Sequence, residues 1–383
     1  MKDKILFFLY FFGLICLFLY SYTQVDLNLT LSQNPAVLSF QRYFQQIGFF
    51  QRPLSMILFL SILFLLFILY IIFLRNAQAG HINKKQMWIL ILSAAIILNF
   101  SYNAFSYDLF NYIFDAKVIT HYHLNPYNYR ALDFPSDPML LFMHWTHRLY
   151  PYGPTWLGLT IPLSFLGMGF FIPTLLLFKT LATVCFLGTA YFINKTLKLI
   201  SPSNEKFGTI FFALNPLVLI ESLVSAHNDI VMVFLVTIAI YFLVTKKHLH
   251  SFIFLILSAG VKFATGLLLP ILIYVYFKKE KIKWDRVFLY SIILMTFGII
   301  FASVRTNFQP WYILYIFPFA AFLARKEYIL FPTITISAFA IANYLPFLGL
   351  GNWDNPVPTE LFLLNTAGIV ISLILILFKY RKI

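Results

Sequence analysis

The stretch LSMILFLSILFLLFILYIIFL at residues 54–74 contains no charged side chain. A helix of this length rises about 30 Å, which is the thickness of the hydrocarbon core of a bilayer. Together with this stretch, ten apolar runs are predicted to be spans. They lie at 5–22, 54–74, 87–105, 170–193, 207–224, 230–245, 287–304, 310–324, 328–346 and 361–378. The pattern predicts an all-α polytopic membrane protein in which residues 1–383 form a single transmembrane domain.

The composition excludes most soluble classes of protein. Hydrophobic residues make up 61% of the chain and charged residues 11%, with a mean hydropathy of +0.82. Because a soluble domain carries roughly 25% charged residues, most of this chain cannot face water. Cys16 and Cys185 both lie within apolar runs, so we expect neither a disulfide nor thiol chemistry. The apolar run after Lys2 and Lys4 is too long for a signal peptide, which favours an uncleaved anchor.

The distribution of basic residues predicts the topology. Lys246 and Lys247 precede a long apolar run at 251–277, and Lys278 begins a basic segment after it. By the positive-inside rule both flanks are cytoplasmic, so the run crosses an even number of times, as two short helices that meet near Lys262. The total is then about 12 transmembrane helices, with both termini in the cytoplasm. The net charge of +14 is thus an orientation signal and does not indicate a nucleic-acid partner.

Residues 106–168 are predicted to form an outer, extracytoplasmic loop with interfacial helices. The last part of this loop, from Tyr152 to Leu166, is apolar enough to be taken for a span. Counting it as a span would invert every later loop and break the charge pattern. We therefore expect it to lie in the outer interface, where its Tyr, Trp and Pro residues are favoured. The loop contains the candidate catalytic residues.

The outer loop opens with SYDLFNYIFDAK at residues 106–117. A helix there places Asp108 and Asp115 on one face and apolar residues on the other, because positions i and i+7 align. We expect this helix to lie on the membrane and to turn both carboxylates toward a common cleft. Either carboxylate can act as general base on a hydroxyl nucleophile. The structural alternatives are that the aspartates cap the helix or pair with Lys117.

Histidines and further carboxylates follow in the same loop. They are His121, His123, Asp133, Asp137, His144 and His147. Their spacings match no closed zinc pattern such as His-Glu-x-x-His, so we predict no metal site and expect the histidines to hydrogen-bond the loop. Asn125-Pro126-Tyr127 is first of all a rigid turn. Asn125 and Tyr127 are, in second place, candidate substrate contacts.

The tripeptide His227-Asn228-Asp229 closes the predicted span that begins near Phe207, at the outer edge of the membrane. Two interpretations remain open for it. It is either a polar turn in which Asp229 caps the next helix, or a group of three polar side chains that holds a sugar or positions an acceptor.

Lys262 interrupts an apolar run, and a charge inside a membrane is costly and marks a functional site by default. The break also points backbone donors of the following half-helix toward the same place, and a helix N-terminus favours anions. A phosphate is therefore the natural partner of Lys262. The alternatives are snorkelling or pairing with a nearby aspartate. Lys179, in the middle of its span, is expected to pair structurally.

The segment RTNFQPWY at residues 305–312 joins two predicted spans at the outer face. Arg305 can bind a phosphate oxygen bidentately. Gln309, Trp311 and Tyr312 offer the combination of amide and aromatic surface that carbohydrate sites favour. The alternative for the Trp-Tyr pair is an ordinary aromatic anchor at the membrane interface.

In their order and common placement, these motifs resemble the membrane glycosyltransferases of the type C superfamily, and most closely the bacterial polyprenol-phosphate-mannose-dependent mannosyltransferases. The resemblance covers about residues 100–325. It is carried by an outer-loop aspartate, Asn125-Pro126-Tyr127, Tyr152-Gly153-Pro154, His227-Asn228-Asp229, the break at Lys262 and Gln309-Pro310-Trp311-Tyr312.

The resemblance implies that a sugar, mannose or a similar hexose, passes from a polyprenyl-phosphate donor to a hydroxyl of a glycan, lipid or protein acceptor outside the cytoplasm. Asp108 matches the position of the family's base, and Lys262 with Arg305 would stabilise the departing phosphate. A single displacement inverts the anomeric carbon. Because Leu109 stands where several relatives have a second acid, we predict no required cofactor, with a divalent metal as the alternative. The implied location is a bacterial-type plasma membrane.

Two other classes of function compete with this one. A transporter or flippase of lipid-linked glycans would also be polytopic, but transporters place ionisable residues near the bilayer midplane and often contain repeats. Here the polar residues are predicted to cluster at one face, which favours an enzyme. A non-catalytic partner in cell-envelope assembly is the third option.

Overall fold

The computed structural model describes residues 2–278 and 281–380, and these are 77% helical with no strand among them. The α-helices are α1 (Lys2–Ser21), α2 (Pro35–Gln45), α3 (Arg52–Gln78), α4 (Lys84–Asn99), α5 (Asp108–Thr120), α6 (Pro154–Leu166), α7 (Phe171–Ile200), α8 (Glu205–Ala213), α9 (Pro216–Leu219), α10 (Asp229–Val244), α11 (His248–Ala259), α12 (Leu269–Phe277), α13 (Trp284–Thr306), α14 (Phe317–Phe322), α15 (Glu327–Ala342), α16 (Tyr344–Leu350) and α17 (Val357–Tyr380). The predicted all-α fold is confirmed.

Six helices in the described ranges are long and apolar enough to cross a membrane, and one bent pair would add a seventh. The six are Lys4–Gln24, Arg52–Gln78, Phe171–Ile200, Trp284–Thr306, Glu327–Leu350 and Val357–Phe378. The bent pair joins Pro202–Ala213 to Pro216–Val224 at an angle of 56°. The chain is therefore a multi-spanning membrane protein, but the predicted count of about 12 spans is not supported.

The smaller count arises because the fold shortens or interrupts several apolar runs. The run at 230–245 becomes α10, whose 16 residues rise about 24 Å, less than the hydrocarbon thickness of about 30 Å. The run at 251–277 is divided into α11 and α12 by a 3₁₀ turn at Phe263–Leu268. The run at 310–324 becomes the 3₁₀ turn Pro310–Tyr315 and the six-residue α14. Apolar length along a sequence does not reveal where a helix stops.

The long helices at the periphery of the protein expose apolar side chains. Only 11% of the apolar window of α17 is buried inside the protein. On α13, Phe301 is 72% exposed and Val304 is 84% exposed. Soluble monomers rarely expose contiguous apolar surface of more than a few hundred Å². These faces are accordingly the ones that contact lipid.

The centre of the protein is the segment from 207 to 233, in which every residue is buried. It does not run as one helix, because Pro216 has no backbone N–H to continue α8. The side chain of Asn215 restarts the helix by accepting the Leu217 N–H at 2.9 Å. A π-helical turn, Ile220–Val224, follows α9 and changes the direction of the chain again. These two irregularities bring His227 and its neighbours into the protein interior.

The outer loop is more closely integrated than its sequence suggests. The apolar face of α5 is buried by protein, with Phe110 and Phe114 at most 1% exposed, and α5 packs against α6 and α7. The expectation that this helix lies on the membrane surface is therefore wrong, because neighbouring helices cover its apolar face. The 13 residues of α6 rise about 20 Å, too little for one helix to span the bilayer.

Candidate active site

The imidazole of His227 lies between two carboxylates and above an indole. Its Nδ1 atom is 3.7 Å from Oδ2 of Asp108, and its Nε2 atom is 3.3 Å from Oε2 of Glu221. The ring stacks on Trp311 with centroids 4.0 Å apart. The preceding Ala226 has φ 53°, a left-handed conformation that non-glycine residues rarely adopt and that a tightly packed environment must enforce.

Lys262 forms an ion pair with Asp229, with 2.6 Å between Nζ and Oδ2. The Asp229 side chain is fully buried, whereas that of Lys262 is 18% exposed. The Lys262 ammonium also lies 5.8 Å from the centre of the Tyr152 ring. Pairing with a nearby aspartate, one of the alternatives for Lys262, is thus what the structure shows. An ammonium has three donors, so this pair leaves Lys262 able to bind a second acceptor.

Backbone contacts hold the break at Lys262 against the start of α6. The Gly153 N–H donates to the Val261 carbonyl at 3.2 Å, and the Thr155 N–H donates to the Gly260 carbonyl at 2.9 Å. A Cβ atom on Gly153 would lie 2.2 Å from the Gly260 oxygen, so no other residue fits without a backbone shift. The Tyr-Gly-Pro turn therefore sets the position of Lys262.

Asn228 and Asp229 continue the cluster at the start of α10. The Tyr112 hydroxyl donates to Oδ1 of Asn228 at 3.2 Å, which connects α5 to α10. The Tyr112 ring packs edge-on against Tyr152 and Trp156, with centroids 5.1 Å apart in both pairs. Asp229 is in the first turn of α10, where a negative charge is favourable, but its carboxylate is directed to Lys262.

The two aspartates of α5 differ in their chemistry. Burial raises the pKa of Asp108 to about 6, with the positive charge of Lys262 opposing the shift and Asp229 adding to it. Burial raises the pKa of Asp115 to about 8, and Asp115 forms no hydrogen bond or ion pair with any described residue. At neutral pH Asp108 is thus ionised and Asp115 largely protonated. Of the two, only Asp108 is ready to accept a proton. Lys117 pairs with neither aspartate of α5, since its ammonium binds Asp137.

Other candidates lie around the cluster. Tyr312 is buried, and its hydroxyl shares a hydrogen bond of 2.6 Å with the hydroxyl of Thr306. Gln309 is half-buried and immediately precedes the 3₁₀ turn that contains Tyr312. Arg305 is exposed at the end of α13 and forms no hydrogen bond or ion pair within the described chain. The structure thus brings Trp311 to the histidine and leaves Arg305 apart from it.

Asn125 and Tyr127 lie on the exposed outer loop. The side chain of Asn125 accepts the Tyr127 N–H at 3.0 Å, as expected of a rigid turn. The Tyr127 hydroxyl reaches the carbonyl of Tyr152 at 3.3 Å and so connects this turn to the segment beside Lys262. The two residues border the cluster without entering it.

Sequence reasoning missed Glu221 and Tyr344. Both are buried, and the Tyr344 hydroxyl donates to Oε1 of Glu221 at 3.0 Å. Glu221 lies within the apolar run at 207–224. The cost of a carboxylate in an apolar run, the argument that drew attention to Lys262, could have identified it.

Among the described residues, no three His, Cys, Asp or Glu side chains converge closely enough to hold a metal ion. Searches of curated proteins and of solved structures each return no significant match. A family model does match, and its description is alpha-(1->6)-mannopyranosyltransferase, N-terminal domain. The match covers residues 11–278, more than half of the chain, and includes α5, the His227 cluster and the break at Lys262. The resemblance to membrane mannosyltransferases of the type C superfamily is confirmed, and the chain belongs to the alpha-(1->6)-mannopyranosyltransferase family.

Proposed function

We propose that this glycosyltransferase moves mannose from a polyprenyl-phosphate donor to a hydroxyl of a mannoside or related acceptor. The observation that carries the proposal is the pairing of a base with a cation in one cluster. Asp108, ionised at neutral pH, and the partly exposed Lys262 both lie beside the buried group formed by His227 and Asp229. Family membership supports the transfer of a sugar, and this geometry supports a phosphate leaving group.

Asp108 is the base in the proposed reaction. It takes the proton of the acceptor hydroxyl while the hydroxyl oxygen attacks the anomeric carbon. The bond between that carbon and the phosphate oxygen breaks, and its electron pair leaves with polyprenyl phosphate. A pKa of about 6 suits this role, because the carboxylate is ionised at neutral pH and remains basic enough to accept a proton. One displacement inverts the configuration of the anomeric carbon.

Lys262 stabilises the leaving group. Negative charge grows on the bridging phosphate oxygen as the bond breaks, and a fixed ammonium lowers the energy of that transition state. Asp229 occupies one Lys262 donor and holds the side chain in place. Arg305 and Gln309 flank the turn that carries Trp311, and we propose that they contact the phosphate and the sugar once the donor is bound.

The sugar-binding surface comes from the aromatic and amide side chains of the cluster. Asn228 supplies an amide whose Nδ2 atom is buried and has no hydrogen-bond partner within the described chain. Trp311 and Tyr312 supply apolar ring surface. The acceptor then enters past Asn125 and Tyr127, on the outer side of the loop.

The proposed orientation follows from the distribution of charge. Basic segments such as the one near Lys246 face the cytoplasm by the positive-inside rule, together with both termini. The outer loop and the cluster then face the extracytoplasmic side of a plasma membrane, which requires α4 to cross the bilayer in addition to the six long helices. Glycan, lipid or protein acceptors on that side are the proposed partners.

The Asp108→Asn variant tests the proposal in proteoliposomes. The probes are a short-chain polyprenyl-phosphate mannose as donor and an alkyl α-mannoside as acceptor, and the disaccharide product is measured. We expect a loss in rate of about 100-fold or more, the usual contribution of a general base. Asp133→Asn is the matched control, because Asp133 is exposed on the same loop and its side chain bonds only the nearby Arg130 N–H.

Two outcomes would oppose the proposal. An Asp108→Asn protein that transfers mannose at the normal rate would show that Asp108 is not the base. A wild-type protein that moves the labelled donor across the membrane without consuming it would favour a transporter of lipid-linked sugars.

A further inference from the structure

Glu221 is a fully buried carboxylic group that the reaction outlined above does not use. Its Oε1 atom accepts a hydrogen bond from Tyr344 at 3.0 Å. Its Oε2 atom lies 3.3 Å from Nε2 of His227 but has no hydrogen bond within the described chain. An unpartnered oxygen at zero exposure needs an explanation, since leaving a buried polar atom without a hydrogen-bond partner is destabilising.

The surroundings of Glu221 favour its neutral form. No lysine or arginine in the described chain forms an ion pair with it. The two lysines within apolar runs have other partners, since Lys179 donates to Ser101 and to a backbone carbonyl, and Lys262 pairs with Asp229. An ionised carboxylate without a cation is very costly in a dry interior, so the group binds a proton instead. A protonated Oε2 is then a hydrogen-bond donor.

His227 is the acceptor within reach of that donor. Both of its ring nitrogens are buried and have no hydrogen-bond partner among the described residues. Burial and the charge of Lys262 lower the pKa of His227 well below its usual value, so the ring is neutral, with one N–H and one bare nitrogen. If Glu221 donates to Nε2, the N–H must be on Nδ1, the atom that faces Asp108.

We propose that neutral Glu221 sets the tautomer of His227, so that the imidazole donates its Nδ1–H to the carboxylate of Asp108. Tyr344, Glu221 and His227 then form a chain of hydrogen bonds that all point the same way, and it ends on the base. Glu221 and His227 are positioning residues, and this role rests on the proposed function of Asp108. The separations are 3.3 and 3.7 Å, and the proposal requires both to shorten in the substrate complex, as is common for catalytic hydrogen bonds.

The opposite arrangement is electrostatically unfavourable. If Glu221 were ionised and accepted an Nε2–H, the bare Nδ1 of His227 would face the ionised Asp108. Two acceptors would then meet, and Asp229 would add a further negative charge nearby. Lys262 and Arg148 are the cations that face Asp108, and neither forms an ion pair with Glu221.

Two substitutions at Glu221 separate these arrangements. Glu221→Gln keeps an N–H to donate to His227 and an oxygen to accept from Tyr344, so it mimics the protonated acid. Glu221→Leu removes both. In the mannosyl-transfer assay we expect the Gln variant to match the wild type. We expect the Leu variant to lose about tenfold in kcat with little change in KM, because only the base loses a hydrogen bond.

The pH profile adds a readout that a purely structural role would not move. Without the N–H from His227, the ionised form of Asp108 loses a stabilising donor, so its pKa rises. The acid limb of kcat/KM in Glu221→Leu should therefore move to higher pH, while that of Glu221→Gln stays in place. A Gln variant as impaired as the Leu variant would overturn the proposal.

Infrared spectroscopy tests the protonation of Glu221 without any sugar transfer. The difference spectrum between wild type and Glu221→Gln at neutral pH should show the carbonyl band of a protonated acid. Loss of carboxylate bands would instead show that Glu221 is ionised and therefore cannot donate a hydrogen bond to His227. Asp133→Asn, on the exposed loop, should lose carboxylate bands. A protonated Glu221 in a protein that transfers no mannose would refute the proposed function alone.

Discussion

Two lysines, Lys179 and Lys262, interrupt apolar runs of the chain, and they have different environments. Lys179 lies in the first third of α7 and is 1% exposed. Its ammonium donates to the hydroxyl of Ser101 at 2.9 Å and to the Val224 carbonyl at 3.0 Å. These acceptors are neutral and belong to neighbouring segments, so Lys179 joins α7 to the protein core.

Lys262 lies where the backbone leaves the helix, between α11 and a 3₁₀ turn. It is partly exposed and its partner is a buried carboxylate, Asp229, in the same cluster as Asp108. A charge within an apolar run is thus not enough to identify a site. The break in the helix, the remaining exposure and the charged partner distinguish Lys262, the lysine of the proposed site, from Lys179.

The largest effect is expected from removing Lys262, the lysine of the proposed site. Lys262→Met should reduce mannosyl transfer about 100-fold, comparable to the loss of one donor to transition-state charge, since the leaving phosphate loses its cation. The matched control, Lys179→Met, should transfer at the wild-type rate. It should also melt at a lower temperature in detergent, because Ser101 and the Val224 carbonyl lose a buried donor.

Equal losses of activity in Lys262→Met and Lys179→Met, at equal protein levels, would show that the two lysines do not differ in their role. Normal mannosyl transfer by Lys262→Met would show that the leaving phosphate does not need Lys262, whose only partner would then be Asp229.

A smaller effect is expected from displacing the break without removing the charge. Gly153→Ala forces the turn before α6 away from the Gly260 carbonyl, which a Cβ atom would approach to 2.2 Å. We expect transfer to fall about tenfold, since displacement of a catalytic group by 1 Å can cost up to 10². Gly158→Ala is the control, because no atom lies within 4 Å of its added Cβ. Identical kinetics of the two alanine variants would show that Lys262 does not depend on this contact.

The smallest effect is the response of the site to mild acid. The Asp108 base must be ionised, and burial raises its pKa to about 6, so activity is full above this pH and falls as pH decreases through it. At pH 6 we expect kcat/KM to be about half of its plateau, with a further loss of about tenfold per pH unit below. Lys179→Met should show the same profile. A profile that stays flat down to pH 5 would exclude Asp108 as the base.

Much of the fold could be predicted from local sequence. The apolar runs predicted helices, and the position of Gly260-Val261-Lys262 predicted the interruption between α11 and α12. The prediction of a helix at Asp108 is also confirmed, since α5 begins there. These features depend on residues close in sequence, namely on hydrophobic length and on helix-breaking positions.

The rest depended on contacts between distant segments. The apolar face of α5 is buried by α6 and α7. A helix on a membrane surface would have the same sequence pattern, so the pattern alone does not distinguish the two positions. The sequence offered both Lys262 and Arg305 as phosphate contacts, and only the fold shows that Lys262 pairs with Asp229 whereas Arg305 is exposed. The place of Glu221 in an apolar run was a local signal, but only the fold shows that its hydrogen-bond partner is Tyr344, 123 residues further along the chain.

The sequence by itself determined that this is a helical membrane protein of a mannosyltransferase type, because hydrophobic length and motif order are properties of the chain alone. Tertiary structure decided which apolar runs form helices long enough to span the bilayer. It also decided which polar residues lie in the same site. Proline, a π-turn and the Gly153–Gly260 approach bend the segments around 207–233 and 260 into the interior. The buried carboxylates of Glu221 and Asp229 meet their partners, Tyr344 and Lys262, only because distant parts of the chain come together there.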